Sequence, residues 1–419
     1  MLTLLSRAGF RSIDDPEAAS VLIVNTCGFI EPAREESLAT LQDLAETLTP
    51  SQRLIAAGCW AQRDPELLLE AIPQLDAVIG TRSWHQIVPL VERLLASPAQ
   101  PLRTLAAGAM ALPEAVGAPG YALSGASAFL KIADGCSRRC AFCAIPLIKG
   151  DAVSRPIPAI LEDARALQAQ GVLELNLIAQ DTTHYGHDLG MKEGLATLLE
   201  QLVAAVPDIP WIRVLYAFPG YITARLIDVL AAHPQLLPYV DIPLQHAHPA
   251  VLRRMNRPAD LGWVRRTVAT LRERLPGVAL RTTFIVGFPG ETDEEFETLL
   301  DFVEELAFDR VGAFIYSAEP GTAAAALPDD IPLEVKEARR EALMVAQQAI
   351  SLRANLALVG QRLPVLLEGA GDGLTVGRTY RDAPEIDGLV LIGGEHACNR
   401  LATVEIIDAT VYDLFGELV

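Results

Sequence analysis

The chain has 419 residues, 51% of them hydrophobic, and 34 Lys and Arg against 53 Asp and Glu leave a net charge of −19. That length allows two or three domains, and the acidic balance argues against a protein that coats nucleic acid through overall charge while suiting a basic protein partner. No apolar run approaches the roughly 18 residues of a membrane span, Met1–Phe10 turns polar too soon for a signal peptide, and six cysteines in so long a chain do not read as a disulfide framework, so a reducing cytoplasm and no membrane partner are expected.

Residues 1–100 alternate short apolar strands, expected at Ala19–Val24, Arg53–Ala57 and Asp76–Gly80, with helices at Glu35–Thr47 and from Pro65; Met1–Ala8 reads as the end of an earlier helix. The alternation predicts an α/β domain with a doubly wound parallel sheet. Cys27 and Cys59 follow the first two strands, so both stand at carboxyl ends of neighbouring strands, the edge where such sheets form their binding crevice. Two thiols there either ligate a metal or cluster or pack as small hydrophobes. Residues 97–127, rich in Ala, Pro and Gly, read as a linker.

A second segment, 122–352, repeats the alternation, with strands expected at Phe129–Ala133, Glu174–Ile178, Trp211–Tyr216, Tyr239–Ile242, Leu280–Val286 and Arg310–Tyr316 and helices such as Ala159–Gln170 and Thr292–Leu306. Six βα units suit a partial (βα)6, TIM-like barrel better than a closed one of eight. Cys136, Gln180, Gln245 and Gly287 then fall at carboxyl strand ends around one mouth. From 355 to 419 the helical pattern gives way to short strands, Leu363–Leu367, Leu374–Arg378, Gly388–Ile392 and Ala402–Asp408, with Gly-rich turns, which predicts a small all-β barrel of five strands.

The most specific chemistry lies in Gly135-Cys-Ser-Arg-Arg-Cys-Ala-Phe-Cys143, where Cys136, Cys140 and Cys143 stand at C-x3-C-x2-C after an apolar strand. Three thiolates so close can hold three corners of a cubic iron–sulfur cluster and leave the fourth iron open to bind and activate a small molecule. Structural zinc wants a fourth ligand, yet no second cysteine pair lies nearby and the next histidine is His184, which leaves inert thiols as the plain alternative. Other motifs read more simply. Val286–Glu291 is a tight βα connection, and Gln245-His246-Ala247-His248 are polar loop residues without a third metal ligand. Arg138 and Arg139 are solvated charges or offsets to cluster charge, and Cys398 is structural.

With Phe142 before its last cysteine, this loop resembles the signature of the radical S-adenosylmethionine enzymes. Together with Asn25–Ile30, Glu35–Leu38 and Gly58–Arg63, it is similar over essentially the whole chain to the methylthiotransferase family of those enzymes. The resemblance implies an N-terminal methylthiotransferase domain over 1–100, a radical core over 122–352 and a TRAM barrel over 355–419. It implies a radical 4Fe-4S cluster on Cys136, Cys140 and Cys143, S-adenosyl-L-methionine near Phe142, and a second 4Fe-4S cluster that includes Cys27 and Cys59. One electron, from a donor such as flavodoxin or ferredoxin, splits the cofactor to a radical that abstracts hydrogen from an unactivated C–H bond. The family also carries a strand and a further cysteine ahead of Cys27; no cysteine precedes Cys27 here, so the first strand and the third ligand of the second cluster are expected to be missing.

One branch of the family modifies an adenosine of transfer RNA; the other adds the methylthio group to an aspartate β-carbon of small-subunit ribosomal protein S-twelve. Cys27–Ile30, Ile178–Gly186, Gly377–Gly388 and Tyr412–Leu418 resemble the second branch, and the acidic stretch 382–387 suits a basic protein better than RNA phosphates. Modification of S-twelve, with the ribosome as its possible setting, is therefore the expected function, with RNA contact through the TRAM barrel a lesser expectation. The alternatives are the transfer-RNA activity and a shortened ribosome-binding relative without sulfur transfer. No catalytic side chain is assigned.

Overall fold

The computed structural model describes residues 1–96 and 123–419, so the expected linker at 97–127 falls outside the described residues up to 122. Two compact units emerge: Met1–Gly120 with Asp134–Val153 and Ser317–Ala326, and Tyr121–Ala133 with Ser154–Tyr316 and Leu327–Val419.

The first unit is built on three parallel strands, Val21–Thr26, Arg53–Gly58 and Ala77–Gly80, in sequential order. Period-two alternation sends Leu54, Ala56 and Val78 to one face, where Leu41, Trp60, Leu68 and Ile72 cover them. Ile55, Ala57, Ala77 and Ile79 go to the other, under Leu5 and the helix Ile87–Ala96. A sheet buried on both faces needs near-continuous apolar strands, which these are. The helix after the first strand spans Glu31–Thr47 and so begins four residues before the expected Glu35. Pro32 lies in its first turn, where a missing N–H costs nothing.

The second unit holds a seven-strand sheet. Six strands are parallel: Ser127–Lys131, Glu174–Ile178, Trp211–Val214, Leu236–Asp241, Ala279–Val286 and Arg310–Ile315. They are the six that the alternation predicts, and they form the partial barrel. Leu123–Ser124, inside the stretch read as linker, adds an antiparallel edge through a tight turn at Gly125. Leu175, Leu177, Leu280 and Phe284 turn outward to the helices, which contribute Leu199, Val268, Leu299 and Phe302 to one large core. The helix Asp293–Leu306 opens on a capping box between Thr292 and Glu295.

Residues 362–418 close into a five-strand barrel in the order Arg362–Gly371, Leu374–Thr379, Val390–Gly393, Leu414–Leu418, Arg400–Ala409. The last strand, Leu414–Leu418, is the one the sequence pattern does not place individually. This barrel is bolted to the amino-terminal edge of the parallel sheet. Glu174, the first residue of its strand, accepts from Arg213 Nε at 3.0 Å, Arg378 Nη2 at 2.6 Å and Ser127 Oγ at 2.8 Å. Arg310 Nη2 donates to Asp382 at 2.7 Å. The carboxyl strand ends, where βα folds do their chemistry, lie at the opposite edge.

Candidate functional site

In the first unit the strand register builds the Cys27–Cys59 pair. Thr26 pairs with Gly58, so the residue after each, a cysteine in both strands, leaves the sheet at the same level. Gly28 makes the approach possible, because a Cβ there would lie 2.7 Å from the Trp60 backbone nitrogen. Cys27 N–H donates to Ser37 Oγ at 3.1 Å, Thr26 Oγ1 donates to Ala57 O at 2.8 Å, and Ala61 N–H donates to Thr26 Oγ1 at 3.2 Å. Both turns are thus fixed by bonds between backbone groups and the Thr26 and Ser37 hydroxyls, and both cysteines are half-buried.

The second thiol group belongs to the same unit. Cys136 N–H donates to Gly150 O at 3.0 Å, Cys143 N–H to Cys140 O at 3.1 Å, and Ala152 N–H to Ser137 Oγ at 3.1 Å, closing the loop on itself. Gly135 enters it at φ +76°, and a Cβ there would come within 2.3 Å of Asp151 O, so only glycine fits. Lys149 Nζ binds Asp134 at 2.7 Å across the loop base, while Arg139 pairs with Asp151 at 2.7 Å in solvent, as a solvated charge does. Cys136 is buried; Cys140, Cys143 and Phe142 are half-buried. The helix Cys59–Arg63 rests against Ile145–Lys149, directly after the loop.

The donor set fits an iron–sulfur cluster in kind: three thiols on one short, backbone-locked loop, with a second thiol pair on paired strand ends. Among the described residues, no three Cys, His, Asp or Glu side chains converge closely enough to share one metal ion, so binding requires the thiols to turn toward one another.

At the carboxyl ends in the second unit, Gln180, Gln245 and Gly287 follow their strands as expected. Gln245 adopts φ +74° and Tyr216, ending the adjacent strand, φ +62°; strained non-glycine residues of this kind gather at functional edges. His246 is not a loop-surface residue. It is fully buried, its Nδ1 accepts from His248 N–H at 3.0 Å and its Nε2 lies 3.3 Å from Glu291. Glu291 in turn accepts from Gly287 N–H at 3.0 Å and from Arg339 at 2.9 Å, which makes Val286–Glu291 a locked βα connection. Below the rim, Asp241 meets Arg281 at 3.2 Å; burial pushes its carboxyl up in spite of that partner. Cys398 lies half-buried in the loop before Arg400–Ala409, its Sγ donating to His396 O.

One inference from the sequence needs correction. The acidic stretch 382–387 is not an open patch: Asp382 is buried on Arg310, and Asp387 accepts from Tyr239 Oη at 2.7 Å and lies 3.5 Å from Arg281. Only the intervening Glu385 among its acids faces solvent. Sequence reading also missed Glu319, which is buried in the first unit between Arg34 and Arg63; an isolated acid in a loop gives no periodic signal.

Comparison with known proteins places this geometry. The Radical SAM superfamily profile matches residues 130–303, the TRAM domain profile residues 359–419, and the uncharacterised family UPF0004 residues 1–80. Proteins named ribosomal protein uS12 methylthiotransferase RimO align over the whole chain. The one from Roseiflexus sp. is 47% identical, covering 100% of this chain and 93% of its own. That from Chloroflexus aurantiacus is 47% identical, covering 99% and 94%. The chain belongs to the RimO-type radical S-adenosylmethionine methylthiotransferases. The likeness read from the motifs therefore holds, including the choice of branch. Among solved structures, the radical S-adenosylmethionine methyltransferase TsrM from Kitasatospora setae superposes with a TM-score of 0.54 at 15% identity over 88% of this chain and 70% of its own, a likeness of fold. No helix of the described residues is long and apolar enough to cross a membrane.

Proposed function

We propose that this methylthiotransferase adds a methylthio group to the β-carbon of an aspartate in small-subunit ribosomal protein uS12, in a reducing cytoplasm. The observation that carries the reading is full-length identity of 45–47% to relatives named for that reaction, spread over all three parts of the chain. Cys136, Cys140 and Cys143 would hold the 4Fe-4S cluster, and Phe142 would pack near the adenine of S-adenosylmethionine. Cys27 and Cys59 would contribute to a second cluster carrying the sulfur. With the cofactor, such a cluster supplies the one-electron chemistry that an unactivated C–H bond demands. The chain's own part is to fix both thiol groups, the Cys27 and Cys59 turns through the Thr26 and Ser37 hydroxyls and the cysteine loop through its own backbone. A one-electron carrier such as flavodoxin or ferredoxin would supply electrons.

A protein substrate is favoured over RNA by the C-terminal barrel. Residues 359–419 hold four arginines, no lysine and ten acids. Arg378 and Arg381 are buried on Glu174, Glu368 and Asp309, and Arg362 pairs with Glu405 at 3.0 Å. With Arg362 and Arg400 exposed among ten acids, this surface suits a basic protein better than RNA phosphates. The deciding experiment is anaerobic reconstitution with iron and sulfide, followed by incubation with uS12 and mass analysis of its peptides. A gain of one methylthio group in place of hydrogen on an aspartate is expected; modified adenosine in transfer RNA instead would overturn the reading. Iron per chain, beside the Cys136, Cys140 and Cys143 triple alanine variant, separates one cluster from two.

A further inference from the structure

Both cysteine turns and the cysteine loop are tied to one short segment of the same unit. Glu319, 2% exposed, lies in Ser317–Ala326. Its carboxylate accepts from Arg63 Nη1 at 2.8 Å, from Arg34 Nη1 and from Ser317 Oγ at 3.1 Å. Arg63 closes the helix whose first residue is Cys59, and the same Nη1 donates to Gly28 O, one residue past Cys27, at 2.8 Å. Its Nη2 donates to Pro320 O at 2.7 Å. Arg34 comes from the helix that follows Cys27. Farther along the segment, Ala324 N–H donates to Ala141 O at 2.8 Å, between Cys140 and Cys143. Thr322 Oγ1 donates to Glu319 O at 2.7 Å and folds the segment so that both ends reach their targets.

The balance of charge makes Glu319 the keystone. Two guanidiniums converge on one carboxylate in a place nearly closed to water, where charge-assisted bonds are strong and an unpaired charge is costly. Without the carboxylate, Arg34 and Arg63 repel, with only the Gly28 and Pro320 carbonyls and Asp64 left to hold Arg63 across the Cys27 turn. Resting on the function proposed above, we propose that Glu319 is a positioning residue for methylthio transfer: through Arg63 and the Ala324–Ala141 bond it sets the Cys27–Cys59 pair against the loop of Cys136, Cys140 and Cys143. It touches neither substrate nor cofactor.

The first test uses the metal-free full chain with Cys136, Cys140, Cys143 and Cys398 replaced by alanine, so that only Cys27 and Cys59 remain. Dibromobimane fluoresces when it bridges two neighbouring thiols. Glu319→Gln is expected to lower bridging about tenfold, the scale of one lost charge-assisted hydrogen bond. Glu305→Gln, which breaks the exposed pair with Arg265, should leave it unchanged. Should Glu319→Gln fail to fold, Arg63→Lys keeps the charge but cannot reach Gly28 and Glu319 together, and the same drop is expected. In the reconstituted enzyme with all cysteines, Glu319→Gln should keep cofactor cleavage while methylthiolated product per cofactor cleaved falls about tenfold. Unchanged bridging, or equal loss of cleavage and transfer, overturns the proposal. Lowered bridging in a chain whose wild type makes no methylthiolated product sinks the proposed function and leaves the positioning of the thiols standing.

Discussion

The two thiol groups of the first unit are made in opposite ways. Cys136, Cys140 and Cys143 are adjacent in sequence, and their loop is closed by bonds within Gly135–Ala152. Cys27 and Cys59 lie 32 positions apart and leave the sheet at one level only because two parallel strands pair in one register, Thr26 with Gly58. A contiguous group survives damage elsewhere in the fold; a group assembled by register depends on every contact that holds the strand ends. The chemistry proposed for this chain needs both, so its weak point is the assembled pair.

Cys140→Ala should produce the largest effect. Removing a ligand from the contiguous loop is expected to reduce deoxyadenosine formation to background while leaving Cys27–Cys59 bridging in the metal-free chain intact. Cleavage of S-adenosylmethionine at the native rate would remove that loop from the reaction.

Gly28→Ala attacks the other group. The added methyl would stand 2.7 Å from a backbone nitrogen that cannot move without shifting Cys59, a clash of the kind that costs about 1–3 kcal/mol. Thiol bridging and iron bound beyond the radical loop should fall, with cofactor cleavage preserved. Gly371→Ala, where a Cβ would meet nothing within 4 Å, is the matched control. If Gly28→Ala bridges as well as wild type, register alone holds the pair and the close turn is incidental.

The same contrast explains what the sequence could reveal. The cysteine loop was legible because its three thiols share one short stretch of sequence, and the six parallel strands because each is a short apolar run between turn residues. Cys27 and Cys59 were legible as strand-end residues, but not as neighbours across Gly28, since register is a tertiary fact. Asp382 and Asp387 looked like an open acidic patch because charge in a sequence carries no sign of its partner. Arg310 and Arg281 come from strands of the central sheet far back in the chain. Glu319 was invisible for the same reason: both its arginines precede it by more than 250 positions.

Buried ion pairs between distant segments also hold the second unit, and there pH can separate them from local structure. Burial by itself would raise the Glu174 carboxyl, but Arg213 and Arg378 more than offset it and bring the group from an ordinary 4.5 to about 2. A carboxylate with a depressed folded pKa adds stability that is complete above the unfolded value and disappears as pH falls through the folded one. Between 4.5 and about 2 this amounts to roughly 3 kcal/mol. Glu174→Gln leaves two buried guanidiniums facing a neutral amide, so its melting temperature should lie below that of wild type at pH 7. The gap should narrow steadily from about pH 5 to pH 2, as the native carboxyl itself becomes neutral. A gap that stays constant over that range would mean the barrel is held to the sheet by packing of Leu366, Ala383 and Tyr239, which lie in one apolar cluster, rather than by the charge at Glu174.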